Sequence, residues 1–289
     1  MTAFGYIPDY RGKSLLKDGY LKILGYPYPP RRNEAALVLG FLDPKINEKI
    51  LDIGCGDGVW YLGLRKKGID VTGIDLSDYD LNKLKERAAA FKIGSDAIKA
   101  DAQKMPFKEN SFDKVYSIST FEHIEDDKKV FGEVSRVLKP NGLLVISVPM
   151  KEVPFLTKVA VKAPKFIKKL FYNKLVQDAE NAEDYLNNFN QYYFHCRNYT
   201  MDDVQERLQN YGFEIVKKSY NCRFFGSAIW SMYHTLKLFE RHKSPTTDYK
   251  FRSETVFAII SPLFYLLFLI DRLLFWTKGR IIVLKLRKK

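Results

Sequence analysis

The chain has 289 residues, of which 46% are hydrophobic and 28% charged, so it can bury a substantial core in one catalytic domain with additions. Its three cysteines are scattered and odd in number, which fits a reducing cytoplasm and gives no metal-ligand spacing. The first thirty residues lack the apolar segment of a secretory signal, so a cytoplasmic location is expected.

Positive charge is concentrated in the second half of the chain. The net charge is +13: residues 1–150 hold 23 Lys and Arg against 21 Asp and Glu, whereas residues 151–289 hold 24 against 13. The second half therefore carries +11. A basic region of this kind attracts nucleic acid, anionic lipid headgroups or an acidic substrate, and the charge count does not choose among them.

The most informative motif is KILDIGCGDGVW, residues Lys49 to Trp60. A short apolar strand ends near Asp52 and opens into a helix through a turn with three glycines: Gly54, Gly56 and Gly58. Bare backbone at such a turn lets a nucleotide-like cofactor approach the main chain. The spacing is G-x-G-x-G, which differs from the G-x-G-x-x-G of a dinucleotide site.

Four further strands follow at regular intervals. The second and third end in acids, Asp75 and Asp101, and an acid at the tip of strand two suits the hydroxyls of a bound ribose. The fifth follows a tight turn predicted over Lys139 to Gly142. This rhythm predicts a parallel sheet, with its later strands in Ile69–Ser77, Ala97–Phe107, Ser111–Asp127 and Gly142–Pro149.

This ordered set of motifs resembles the class I S-adenosylmethionine-dependent methyltransferases of the type 11 group, over roughly residues 31–213 and the extreme C-terminus. The resemblance implies an α/β fold with a doubly wound, Rossmann-like seven-stranded sheet, mostly parallel with an antiparallel last strand, plus helical insertions. It also implies an enzyme that uses S-adenosyl-L-methionine and no metal. The cofactor-binding residues that it implies are Asp52, Gly54, Cys55, Gly56, Gly58, Asp75, Leu76, Asp101, Ala102, Ser117 and Ser119.

Methyl transfer is an in-line displacement, and a hydroxyl acceptor also needs a base to take its proton. The candidate base is His123, in the segment FEHIEDD after strand four; the alternative is that Glu122 and His123 only cap or orient the next helix. The candidate substrate-binding residues are Phe121, Tyr193, His195 and Arg197, although a packed loop explains the aromatic residues of Gln191–Thr200 equally well.

Two stretches of the second half suggest contact with a membrane. Residues 151–175 hold seven lysines and one acid, with apolar residues at helical spacing, which is typical of a helix lying on an anionic membrane or packing on its own domain. Residues 255–277 are strongly apolar, and 255–270 carry no charge. Because 279–288 resembles the last strand of the sheet, a single membrane span is excluded. A membrane-docking element is favoured over a dimer interface or core.

These observations predict four regions: an N-terminal extension (1–30), a core (31–225) with the basic insertion (151–175), a hydrophobic helical insertion (226–278), and a final strand with a basic tail (279–289). The leading hypothesis is methyl transfer to an amphiphilic or membrane-associated small molecule, such as a lipid, a quinone precursor or a lipid-linked intermediate, at the inner face of the membrane. The alternatives are an RNA methyltransferase and a non-catalytic cofactor-binding scaffold. Basic residues interleaved with aliphatic runs argue against nucleic acid.

Overall fold

The computed structural model describes residues 29–152, 196–227, 229, 263, 266–267, 269–271, 273–274 and 277–289. Its strands are β1 (Lys49–Ile53), β2 (Asp70–Asp75), β3 (Ala97–Lys99), β4 (Phe112–Ile118), β5 (Leu138–Pro149), β6 (Phe213–Asn221) and β7 (Ile281–Lys288). They form one sheet in the order β3-β2-β1-β4-β5-β7-β6.

The first five strands are parallel, and β7 lies antiparallel between β5 and β6. Ile281 at the start of β7 pairs with Pro149 at the end of β5 and with Asn221 at the end of β6. The chain order reverses direction between β1 and β4, and ligands of open α/β sheets bind beside the carboxyl ends of the strands at such a point. The predicted seven-stranded α/β sheet, mostly parallel with an antiparallel last strand, is confirmed.

Helices cover both faces of the sheet. They are α1 (Pro29–Leu42), α2 (Tyr61–Arg65), α3 (Asp78–Ala90), α4 (Asp127–Val137) and α5 (Met201–Asn210), with a 3-10 turn at Phe121–His123. Apolar residues of α1, α2 and α3 form one core with the sheet, and those of α4 and α5 form the other. Side chains cap three of the helices: Ser77 at α3, Asp126 at α4 and Thr200 at α5.

Strand β5 differs from its prediction at its start. The strand begins at Leu138, which pairs with Phe112, and the next pair is Leu143 with Lys114. The residues predicted as a tight turn are therefore a bulge within the strand, because Asn141 adopts a left-handed conformation (φ 62°) without reversing the chain. Leu138 is fully buried, which keeps the chain against the sheet before the bulge.

Several sequence predictions fall outside the described residues: nearly all of the N-terminal extension, residues 153–175 of the basic insertion, and much of the hydrophobic stretch 255–277. The predicted region boundaries stay predictions. Within the part of the chain that the structure describes, no helix combines the length and the apolar character needed to cross a bilayer.

Candidate active site

The glycine turn after β1 is tied to the end of β2. The backbone N–H groups of Gly54 and Cys55 both donate to the Ile74 carbonyl, at 2.9 and 3.1 Å. Gly54 has φ 75°, and a Cβ at this position would collide with the side chain of Thr120, just after β4. The first glycine therefore lets the turn and the loop after β4 pack directly together.

Of the three turn glycines, Gly56 is the one with open space around it. Its φ is 52°, a Cβ added there would meet no atom within 4 Å, and its N–H donates to Asp75 Oδ2 at 2.8 Å. Gly58 (φ 78°) differs, because a Cβ there would collide with Leu84 of α3. Gly56 thus leaves a gap that a ligand can fill, whereas Gly58 allows close packing of turn and helix.

The side chains of Arg87 and Cys55 hold the glycine turn against the protein interior. The buried Arg87 of α3 donates to the Asp57 carbonyl at 2.8 Å and to Asp57 Oδ2 at 3.0 Å. The Cys55 side chain points inward, where its sulfur lies close to Gly73, and burial raises the pKa of its thiol. The backbone of Cys55 is therefore the part of this residue that can face a cofactor.

Asp75 is the last residue of β2, and Asp101 follows the neighbouring strand β3. Asp75 is half-buried, and its second carboxylate oxygen accepts from the Ser77 N–H at 2.9 Å. The Ala100 N–H donates to the Asp75 carbonyl at 3.1 Å, which brings Asp101 to the same edge. Asp101 Oδ1 accepts from the Gln103 N–H at 2.8 Å. Beside them Leu76 is 60% exposed, an apolar surface next to two oriented carboxylates.

Asp52, near the end of β1, is a buried acid that contacts no cationic side chain among the described residues. Tyr116 of β4 donates to its Oδ2 at 2.6 Å. Burial raises the pKa of Asp52 to about 7; the charge of Asp75 adds to the rise, and the hydrogen bond from Tyr116 opposes it. A nearby positive charge would reverse this shift, so the position suits a ligand cation.

The end of β4 lies beside the turn and connects it to α1. Ser117 is fully buried and donates to the Ile53 carbonyl at 2.9 Å. Ser119 has φ 49°, unusual for a residue with a side chain, and its hydroxyl donates to Glu34 of α1. Its N–H donates to Ser147 Oγ at 3.0 Å. The Ser117 hydroxyl is thus used within the protein, and Ser119 belongs to a wider polar group.

Of the Glu122–His123 pair, the structure buries the acid and exposes the histidine. Glu122 is 1% exposed, and its Oε2 has no hydrogen-bond partner among the described residues. His123 is exposed at the end of the 3-10 turn. The role of His123 as the base stays a prediction. The buried residue of the pair is Glu122.

Two of the four predicted substrate-binding residues lie in the described part of the chain. Phe121 is fully buried and packs edge-on against Phe131 in the core. Arg197 forms an ion pair with the buried Asp127 at 2.9 Å. Tyr193 and His195 lie outside the described residues, and the substrate-binding set stays a prediction.

Comparisons with known proteins show what this chain is similar to. A family model described as a methyltransferase domain matches residues 51–146. This match covers 96 of the 289 residues. Over 119 residues it is 39% identical to cycloartenol-C-24-methyltransferase 1 of Oryza sativa subsp. japonica, covering 40% of this chain and 34% of that protein. Over 100 residues it is 37% identical to a sterol 24-C-methyltransferase of Saccharomyces cerevisiae, covering 34% and 26%.

The matched region thus spans about a third or less of these two relatives. Among solved structures, the [4+2]-cyclase SpnF superposes with a TM-score of 0.57 at 17% identity, covering 100% of this chain and 87% of that chain. This likeness shows the fold alone, and the cyclase illustrates that a methyltransferase-type fold does not by itself define a reaction.

The carboxyl ends of β1 and β2 bring together the glycine turn, Asp52 and Asp75, and Gly56 has open space around it there. In the described part of the chain, no three His, Cys, Asp or Glu residues are grouped to hold a metal ion.

Some residues of the candidate site were not predicted from the sequence. Glu34 is the clearest, because its α1 neighbours Ala35, Val38 and Leu39 are all buried and the acid lies on the same helical face. An acid on the apolar face of a predicted helix could have been recognised in the sequence. The Tyr116 partner of Asp52 had no such signal, since tyrosine is common in buried strands.

Proposed function

We propose that this protein is an S-adenosylmethionine-dependent methyltransferase that acts on a lipophilic or amphiphilic small molecule. The observation that carries the proposal is the open gap at Gly56, flanked by the oriented carboxylate of Asp75 and the buried acid Asp52. The cofactor would supply a methyl group on a positively charged sulfur. The rest of the chemistry belongs to the protein, which must hold the acceptor in line with that methyl group.

Each strand end has a part in holding the cofactor. The turn backbone at Gly54–Gly58 would meet the methionine portion, with Asp52 near its amino group. Asp75 would accept hydrogen bonds from the ribose hydroxyls, since a carboxylate has lone pairs to spare beyond its two backbone donors. Asp101 and Ala102 would meet the adenine, beside the exposed Leu76.

A lipophilic acceptor is supported by the relatives and by a surface of this chain. Both relatives named above are, by their names, methyltransferases of sterol-type molecules. Here, the helical positions between 263 and 273 expose apolar side chains: Leu263, Leu266, Leu269, Ile270 and Leu273. This stretch leads into β7, which starts at the edge of the sheet where β5 and β6 end.

Peripheral contact with an anionic membrane is the second part of the proposal. The exposed leucines supply the apolar surface, and the +11 charge of residues 151–289 supplies attraction to acidic headgroups. Asp271 anchors this stretch, because its carboxylate accepts the N–H groups of Phe225 and Gly226, both at 2.8 Å. Replacing Leu269 and Leu273 by Ser should reduce flotation with phosphatidylglycerol vesicles, and unchanged flotation would refute the contact.

The activity is tested with methyl-labelled S-adenosylmethionine and three extracts: total lipid, small metabolites and RNA. The proposal predicts label in the lipid fraction, lost in Asp75→Ala and retained in Asp78→Asn, whose carboxylate is exposed on the next helix. Label found in the RNA fraction alone would show that the acceptor is RNA and not a lipophilic small molecule. A wild-type protein that binds cofactor but labels no fraction would favour a non-catalytic scaffold.

A further inference from the structure

Four polar side chains from distant parts of the chain meet at the carboxyl ends of β4 and β5. Glu34 comes from α1, Ser119 and Glu122 follow β4, and Ser147 belongs to β5. The hydroxyls of both serines donate to Glu34 Oε1, the Ser147 bond measuring 2.7 Å. We call these four residues the acceptor-side cluster, since they lie beyond the cofactor turn on the side of β4 and β5.

The two carboxyl groups of the cluster, those of Glu34 and Glu122, have very different hydrogen-bond partners. Glu34 receives the two serine hydroxyls, and Arg31 lies 3.2 Å from its Oε2, so its negative charge is well supported. Glu122 is equally buried, yet its Oε2 has no hydrogen-bond partner among the described residues. A buried, unpartnered carboxyl oxygen is costly when charged, and natural proteins rarely keep one without a use.

The surroundings of Glu122 favour its neutral form. Burial raises the pKa of Glu122 to about 8, and the charge of Glu34 adds to the rise, whereas its own backbone N–H, Arg31 and Ser119 oppose it. The charge of Glu34 also acts on Cys222, and burial raises the pKa of that thiol. These surroundings favour a protonated Glu122 at neutral pH.

The segment that carries Glu122 packs against the cofactor turn. Thr120, two residues before Glu122, lies so close to Gly54 that a Cβ on the glycine would collide with it. A positive charge held by the turn would thus lie beside the segment that carries this buried acid. Such a charge favours the ionised carboxylate and lowers its proton affinity.

We propose that Glu122 is the proton-exchanging group of this site: it holds a proton in the ligand-free protein, releases it when the sulfonium cofactor binds, and then accepts the proton of the methyl acceptor. The proposal rests on the proposed function, because it needs a cationic cofactor. When the acceptor atom bonds to the methyl carbon and loses its proton, Glu122 Oε2 takes that proton as the cofactor becomes neutral. The charge of the site is therefore unchanged by the transfer.

The test is proton release on cofactor binding, which needs no acceptor. Calorimetric titrations with S-adenosylmethionine at pH 7.0, in two buffers of different ionisation enthalpy, give the number of protons released per site. With a pKa of about 8, Glu122 is about nine-tenths protonated at this pH. Wild type should therefore release nearly one proton more than Glu122→Gln, whose neutral side chain mimics the protonated acid.

Three controls make this difference specific. Glu125→Gln removes an exposed acid of the same loop and should release as many protons as wild type. S-adenosylhomocysteine lacks the sulfonium charge, so wild type and Glu122→Gln should differ little with it. If Glu122→Gln does not fold, Glu34→Gln serves instead, because removing the neighbouring charge lowers the proton affinity of Glu122 and should also reduce release.

The outcomes separate the two proposals. Equal proton release by wild type and Glu122→Gln, with normal cofactor binding in both, overturns the role of Glu122 and leaves the proposed function intact. Absence of any binding heat in folded wild type overturns the proposed function and this proposal together. Loss of the extra proton only in the Glu122 or Glu34 variants supports it.

Discussion

The two sides of the candidate site are built in different ways. On the cofactor side, the residues lie in short consecutive motifs at the ends of β1, β2 and β3, and backbone N–H groups hold the carboxylate of Asp75. On the acceptor side, the cluster joins Glu34 to Ser147 across 113 positions of the chain. The first side is a local property of sequence, whereas the second exists only after folding.

The largest expected effect concerns the buried network that follows the acceptor-side cluster in the chain. Asp127 is buried and accepts from Arg207 Nε at 2.6 Å and Tyr199 Oη at 2.9 Å, which ties the segment after residue 195 to α4 and α5. Asp127→Asn removes the buried negative charge that pairs with Arg207 and Arg197, and should lower the free energy of unfolding by about 3 kcal/mol.

Urea unfolding measures this loss, and calorimetry at low temperature should show unchanged cofactor affinity. Glu206→Gln, in an exposed ion pair with Lys128, is the matched control and should cost under ~1 kcal/mol. A large loss of cofactor affinity in Asp127→Asn would show that the two sides are not independent.

A second change breaks the cofactor side alone. Gly56→Ala introduces a Cβ into the gap above the turn and should weaken S-adenosylmethionine binding at least about tenfold, or ~1.4 kcal/mol. Gly68→Ala is matched to it, because Gly68 also has positive φ (78°) and open space, but lies before β2 at the opposite edge. Both variants should lose similar stability through backbone strain. Equal cofactor affinity in the two would remove Gly56 from the site.

The smallest expected effect concerns the pH dependence of stability. The pKa of Glu122 is raised from 4.5 to about 8, so the folded protein binds a proton that the unfolded chain loses. The free energy of unfolding should therefore fall as the pH rises from about 4.5 to about 8. Glu122→Gln should remove up to about 1.4 kcal/mol per pH unit of that slope, most clearly between pH 7 and 8, above the pKa of about 7 of Asp52.

Unfolding in urea at several pH values checks this, with Glu125→Gln keeping the slope of wild type. If Glu122→Gln and wild type lose stability in parallel, then Glu122 is already ionised in the folded protein.

The same contrast explains what the sequence could predict. The first five strands and the positions of Asp75 and Asp101 follow from apolar runs and turn chemistry, which are local, and the antiparallel last strand was expected from the family resemblance. The choice of His123 over Glu122 rested on the ordinary pKa of histidine, but burial is a tertiary property and here it acts on the acid. The Arg197 ion pair with Asp127 could not be read from spacing either, because its partners come from other elements.

The central claim is that the ends of β1, β2 and β3 bind an adenosyl sulfonium. Its most direct test is calorimetric titration of the purified, folded chain with S-adenosylmethionine and S-adenosylhomocysteine. Wild type and Asp78→Asn should bind both, and Asp75→Ala should bind each roughly tenfold to a hundredfold more weakly, as expected for the loss of charge-assisted hydrogen bonds. A folded wild-type chain that takes up neither compound would contradict the account.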